Sequence, residues 1–186
     1  MCIRDSLHIP LQSGDKEILR RMGRKYTPDQ YRKLIGEIRR RIPSVGITTD
    51  VMVGFPGEGE HHFQNTLRLI EDARFSRLHV FRFSPRENTR AFSMRPQVDE
   101  RTKRERSRVL RELGERLTEE FILRFLGSSL TVLIENRRDP ETGLLCGYTD
   151  NYIRVLIEGN ENLKNKLVMV RLTQVVDGVA RGKVEE

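Results

Sequence analysis

The sequence predicts an α/β fold built on a parallel sheet, followed by a small antiparallel β-barrel. Three observations carry this. The stretch Ile47-Thr48-Thr49-Asp50-Val51-Met52-Val53-Gly54-Phe55-Pro56-Gly57-Glu58-Gly59-Glu60 reads as an apolar, β-branched strand, a glycine turn and the start of a helix. Two further apolar stretches, Leu7–Leu11 and Arg77–Phe83, also end in polar loops, with helical patterns between them. From Ser128 onward the hydrophobic period becomes two, with turn residues at short intervals.

The 186 residues allow one or two domains with ample core. No run of about 18 apolar residues is present, and no charged-then-apolar leader. A cytoplasmic location is therefore expected. Cys2 and Cys146 are the two cysteines, too few for a disulfide framework or a cysteine metal cluster. A formal charge of +7 points to an anionic partner, with nucleic acid the usual one. The charge is uneven: residues 1–127 hold 26 basic and 18 acidic side chains, whereas residues 128–186 hold 8 and 9. A basic binding surface therefore belongs mostly to the first part.

Met1–Ser6 fits nothing that follows and is expected to be a non-native leader. Leu7–Leu11 reads as a short buried strand ending in Gln12-Ser13-Gly14, with His8 a satisfied core histidine. Ser13 or Asp15 is placed to cap a helix from Lys16 to Met22. Thr27-Pro28 starts the next helix, threonine as cap and proline first, with Tyr31, Leu34, Ile35 and Ile38 as its buried stripe. Arg39-Arg40-Arg41 suits its negative end. After the glycine turn a helix runs from Glu60 to Ala73, with Phe63, Leu67 and Ile70 on one face.

Arg77–Phe83 alternates as a third strand and ends in Ser84-Pro85-Arg86. A parallel sheet puts all three strand ends on one edge, where chemistry sits in such folds. Gln12, Gly54 and Arg86 could therefore line one site, the arginine fork suiting a carboxylate or phosphate. A long charged helix from about Glu100 to Leu126 follows, with Val109, Leu113, Leu117, Phe121 and Phe125 as a packing stripe. Five strands complete the chain: Leu130–Glu135, Leu145–Tyr148, Ile153–Glu158, Leu167–Leu172 and Gly178–Val184. Spacing alone leaves open an α/β barrel or a doubly wound sheet for the first part. It equally leaves the glycine turn open as a purely structural device.

Leu7-His8-Ile9-Pro10-Leu11-Gln12-Ser13-Gly14, Thr49-Asp50-Val51-Met52-Val53-Gly54-Phe55-Pro56-Gly57-Glu58 and Phe83-Ser84-Pro85-Arg86-Glu87-Asn88-Thr89 together resemble the radical S-adenosylmethionine methylthiotransferases. The tail resembles the TRAM domain, the RNA-binding barrel of these enzymes. The resemblance covers about residues 7 to 186. It implies a partial (β/α) radical-SAM barrel, its last strands, over 7–127 with the long helix, and an OB-like TRAM barrel over 128–186. Leu78-His79-Val80-Phe81 and Gly147-Tyr148-Thr149-Asp150-Asn151-Tyr152 look most like the branch acting on threonylcarbamoyladenosine at position 37 of tRNA. The isopentenyladenosine and ribosomal-protein branches fit less well.

The family's chemistry implies S-adenosylmethionine as cofactor and two 4Fe–4S clusters. One cluster, held by a CxxxCxxC motif, generates a 5′-deoxyadenosyl radical; the other delivers sulfur. This chain lacks that motif. It therefore looks like the carboxyl-terminal part of such an enzyme, inactive alone, with no catalytic cysteine and no metal ligand of its own. Ser6 stands where the family often has histidine, Gly59 where it usually has threonine, and Asn88 where it usually has glycine.

Carried over by motif, Gln12 and Ser13 would lie near the cofactor's ribose. Asp50, Gly54, Phe55 and Pro56 would wall the adenosyl pocket. Phe83 and Ser84 would border the adenine, and Arg86 would face a cofactor carboxylate or the tRNA. The competing function is a cluster-free tRNA-binding module of the same lineage. A phosphate-binding α/β enzyme using the Gly54–Gly57 turn is weaker still, since the turn lacks the lysine and hydroxyl of a P-loop.

Overall fold

A computed structural model describes residues 5–185. The described residues group into two compact units. One comprises 8–43 and 47–117; the other comprises 118–185 with 5–7 and 44–46.

A three-stranded sheet of β1 (Ser6–His8), β2 (Gly46–Val53) and β3 (Arg77–Arg82), with β2 central, lies for the most part in the first unit. β2 and β3 run parallel, pairing Asp50 with His79 and Met52 with Phe81. Helix α1 (Lys16–Arg21) follows β1, α2 (Pro28–Arg41) precedes β2, and α3 (Glu60–Ala73) joins β2 to β3. The expected caps form. Asp15 accepts the N–H groups of Glu17 and Ile18, and Thr27 and Gln30 make a reciprocal capping box. At α3 the glycine cap offers no side chain, and His62 accepts the Gly59 N–H instead at 2.9 Å.

Alternate residues of β2 fall on opposite faces. Ile47, Thr49, Val51 and Val53 are buried; Thr48, Asp50 and Met52 are partly exposed. Thr49 spends its hydroxyl on the backbone, donating to Ile9 O at 2.7 Å and accepting from Leu11 N at 2.9 Å. Tyr31 donates to the same Ile9 carbonyl at 2.6 Å, and burial pushes its phenol up to about 12, so it remains a donor.

Three details depart from the sequence reading. The first strand is shorter and its Leu7 and His8 are exposed, because the following residues pair with β2 mainly through Ile9 and the isolated Gln12–Val51 bridge. Leu34 is exposed, and only Tyr31 and Ile35 of that apolar stripe are buried. Helix α5 (Glu100–Leu123) buries Lys103, Arg106 and Ser107 together with Leu110, Leu113 and Leu117. A short helix, α4 (Arg90–Ser93), lies in the segment before it.

The second unit is a closed barrel of β4 (Ser129–Arg138), β5 (Leu145–Thr149), β6 (Arg154–Ile157), β7 (Leu167–Val176) and β8 (Val179–Val184), in the order β4-β5-β6-β8-β7. All five expected strands are present. One pairing differs from the antiparallel expectation: β6 and β8 run parallel, which lets the last strand close the barrel. Val132, Ile134, Leu145, Val155, Ile157, Val170, Leu172 and Ala180 fill its interior, joined by Phe121 and Ile122 from the end of α5. Closure removes the free sheet edges that would invite strand pairing between chains.

Candidate functional site

The three strand ends of the first unit come together as the parallel topology requires. Gln12 donates its N–H to Asp50 O and accepts from Met52 N, both at 2.8 Å, and Phe83 N donates to Val53 O at 2.9 Å. Gln12 thus lies beside Val51, and Phe83 beside the Val53–Gly54 end of β2. Gln12 holds a left-handed backbone, φ 63°, which turns the chain out of its bridge to β2.

The motif-derived residues separate into two groups. Ser13, Gly54, Phe55, Pro56 and Phe83 are buried. Ser13 lies within 3.4 Å of the Thr66 hydroxyl and accepts the Asp15 N–H at 3.2 Å. Phe55 and Phe83 pack edge-to-face at 5.2 Å in a small apolar cluster with Ile18. Gly54 donates its N–H to Glu58 at 2.9 Å and has φ +76°, a conformation suited to glycine. This group fixes the strand ends. Gln12, Asp50, Ser84 and Arg86 keep exposed surface, and they are the members able to meet a ligand.

Two histidines join Asp50 on the open face of the sheet. His8 places Nδ1 2.9 Å from the Thr48 hydroxyl and Nε2 3.4 Å from the Asp50 carboxylate, and its ring meets His79 edge-on at 5.9 Å. His8 is thus an exposed, hydrogen-bonded histidine, not a core one. The register of β2 and β3 sets His79 beside Asp50, and the pairing of Ile9 with Thr48 brings His8 to the same face.

Beneath the edge, α5 supplies the electrostatic support. Arg106 donates to the Glu58 carboxylate at 2.8 Å and to the Glu58 carbonyl at 2.9 Å. Burial pushes the Glu58 carboxyl up, against the opposing pull of the Gly54 N–H and the Arg106 charge. Lys103 lies over the Phe83 ring at 5.6 Å and pairs with Glu100 at 2.8 Å. Motif reading missed these two side chains because charged helix positions ordinarily face solvent.

The barrel carries its own polar cleft of about 530 Å³, lined by Arg137, Arg138, Asp139, Cys146, Tyr148 and Arg154. Its cations are largely neutralised. Arg154 pairs with Asp139 at 2.6 Å and Arg138 with Glu161 at 2.8 Å. Tyr148 stacks on Tyr152 at 4.7 Å.

Among the described residues no group of three or more His, Cys, Asp or Glu side chains could hold a metal ion. Cys146 is buried in the barrel, and Cys2 lies outside the described residues. Two cysteines in the whole chain cannot supply the three thiolates of a site-differentiated 4Fe–4S cluster, so its residues do not fit that group. No helix of the described residues is long and apolar enough to cross a membrane.

Comparison with known proteins gives two family matches. Residues 3–70 match the Radical SAM superfamily, and residues 123–184 match the TRAM domain. A threonylcarbamoyladenosine tRNA methylthiotransferase of Bacillus subtilis is 38% identical over 172 residues, 91% of this chain and 38% of that protein. A tRNA-2-methylthio-N(6)-dimethylallyladenosine synthase of Alkaliphilus oremlandii is 39% identical over 171 residues, 91% of this chain and 36% of that protein. The chain thus spans little more than a third of the length of these curated relatives. Among solved structures, coproporphyrinogen III oxidase of Escherichia coli, a radical SAM enzyme, is similar over 62% of this chain and 26% of its own, with 21% identity and a TM-score of 0.49, too slight a likeness to guide the site.

Proposed function

We propose that this chain is the matching part of a radical SAM tRNA methylthiotransferase and serves the transfer of a methylthio group to an adenosine of tRNA. The observation that carries this is the alignment of nearly the whole chain, sheet unit and barrel together, with enzymes named for that reaction. The threonylcarbamoyladenosine at position 37 is the proposed target, supported by the Leu78–Phe81 and Gly147–Tyr152 segments. The dimethylallyladenosine branch is the second reading, favoured by a relative 39% identical against 38% for the other.

S-adenosylmethionine, when bound, supplies the methyl group and the radical precursor. At the carboxyl edge Gln12 would meet ribose hydroxyls, and Asp50 would wall the adenosyl pocket from the open face of the sheet. Ser84 would border the adenine, and Arg86 would face the tRNA, its planar fork suiting a phosphate. Phe55, Phe83 and Ser13 would keep those strand ends in register from below. We assign no step to a cluster, since the chain's own residues do not fit one. A cytoplasmic location is part of this reading.

The test is a chimera in which residues 5–185 replace the matching segment of the Bacillus subtilis relative, expressed in a strain lacking that enzyme. Mass spectrometry of tRNA nucleosides should show restored 2-methylthio-threonylcarbamoyladenosine. Restoration of the dimethylallyl product instead would move the chain to the other branch. A folded, cluster-loaded chimera that restores neither would refute the function.

A further inference from the structure

We propose that the segment Arg82–Pro96 is an RNA-docking arm, in which Arg86 and Arg90 hold phosphates of a single-stranded loop and Phe92 stacks on one of its bases. The proposal rests on the tRNA reading above and adds the surface through which this unit holds the RNA.

The arm is anchored from below and charged above. At one end Phe83 is hydrogen-bonded to β2; at the other, Pro96 O accepts the Gly57 N–H at 2.8 Å. Ala91 and Met94 pack on the Ile18, Phe55 and Phe83 cluster. Arg21 clamps the arm by donating to Arg95 O and to Pro56 O, each at 2.9 Å. Gln97 donates to Met94 O at 2.8 Å and Ala91 O at 3.2 Å. The arm is therefore a fixed structure beside the strand ends, and its order is not a cost that RNA binding must meet.

What it presents is basic and aromatic. Residues 82–96 contain four arginines against one glutamate. The side chains of Arg86 and Arg90 are exposed and make no ion pair or hydrogen bond among the described residues. Phe92 is 46% exposed on the same segment, although a phenylalanine gains nothing from water. Unpaired arginines and an exposed ring on one short segment suit an unstacked nucleic acid, whose phosphates take the charge and whose bases take the ring. The barrel offers the contrasting case: its cleft arginines Arg138 and Arg154 are already held by Glu161 and Asp139. Charge complementarity thus favours the arm, and it agrees with the excess of basic residues before residue 128.

The experiment is a fluorescence-anisotropy titration of the full chain against a labelled tRNA anticodon stem-loop at several salt concentrations. Arg86→Gln/Arg90→Gln should weaken binding about tenfold at ~0.1 M salt and reduce the log–log salt slope by about 1.4, the value for two single-strand phosphate contacts. Phe92→Ala should weaken binding about tenfold with the salt slope unchanged, and Phe92→Tyr should restore it. The control, Lys33→Gln/Arg41→Gln, removes the same charge from exposed positions of α2 and should leave both readings near those of the parent. Equal losses from the two double variants would overturn the arm, since net charge alone would then explain binding. Parent-like binding by Arg86→Gln/Arg90→Gln would overturn the arm while leaving the tRNA reading intact. A parent chain with no salt-dependent affinity for the stem-loop would overturn both. Competition by polyglutamate as effective as by RNA would mark the arm as a surface for acidic protein and also overturn the proposal.

Discussion

Glu58 and Arg106 form a buried ion pair that ties the glycine turn after β2 to helix α5. The two side chains are 3% and 7% exposed, and their charged atoms approach to 2.8 Å. The same carboxylate oxygen also accepts the Gly54 N–H, so one glutamate fixes both the turn's backbone and the helix beneath it. The second acidic residue of the motif, Glu60, meets Arg106 at 3.3 Å from the solvent side.

Breaking that pair should be costly, because a buried charge would lose its partner. Glu58→Ala is expected to lower stability by about 3–5 kcal/mol. Replacing both partners, as in Glu58→Ala/Arg106→Met, should cost less than the sum of the single changes. Urea unfolding of the four proteins of this cycle measures the difference, and additive losses would show that the two residues act independently.

Gly54→Ala should destabilise the same turn by two routes. The backbone is held at φ +76°, and a Cβ there would overlap the buried Lys103 stem. The expected loss is about 2–4 kcal/mol, combining left-handed strain with overpacking. In a Lys103→Ala background the steric part should disappear and the backbone part remain. An unchanged penalty in that background would assign the whole cost to φ.

Asp15 should give a pH signature. Burial opposes its charge, but hydrogen bonds from Asn65, Ile18 N and Glu17 N, together with His62, hold its carboxyl below the usual range. A depressed folded value means the stabilisation is present above the unfolded value of about 3.9 and is lost as pH falls through the folded one. Asp15→Ala should therefore cost about 1–2 kcal/mol at neutral pH, the worth of the helix cap, and progressively less in acid. Denaturation curves of both proteins from neutral pH down to pH 2 would show a constant gap if the carboxylate were not responsible.

Reconstitution supplies a further expectation. Treated anaerobically with iron and sulfide, this polypeptide should hold no stoichiometric 4Fe–4S cluster and, with dithionite and S-adenosylmethionine, make no 5′-deoxyadenosine. Two cysteines fall short of the three thiolates required, and Cys146 is enclosed by the barrel. Iron quantification and product chromatography read the outcome; catalytic 5′-deoxyadenosine would show that the ligand reasoning is wrong.

By itself, the sequence determined the strands and the longer helices, and their order, but not the short α4. Period-two alternation marked the strands, Asp15, Thr27 and Pro28 marked helix starts, and the glycine turn marked the carboxyl end of β2. These signals are local: each rests on backbone preference or on capping within a few residues. The three motifs, read together, also reached the family.

Tertiary structure decided which of the motif residues are surface and which are support. Gly54, Phe55 and Phe83 are sealed by residues distant in the chain, namely Ile18, Met94 and Lys103, so no local pattern could place them inside. Lys103 and Arg106 carry charges that helical periodicity assigns to solvent, yet both are buried, Lys103 against the Phe83 ring and Arg106 against the Glu58 carboxylate. The parallel β6–β8 pairing that closes the barrel was equally illegible, because strand direction depends on which edges meet. A side chain's burial and partners are set by contacts between separated segments, and only the folded chain brings those segments together.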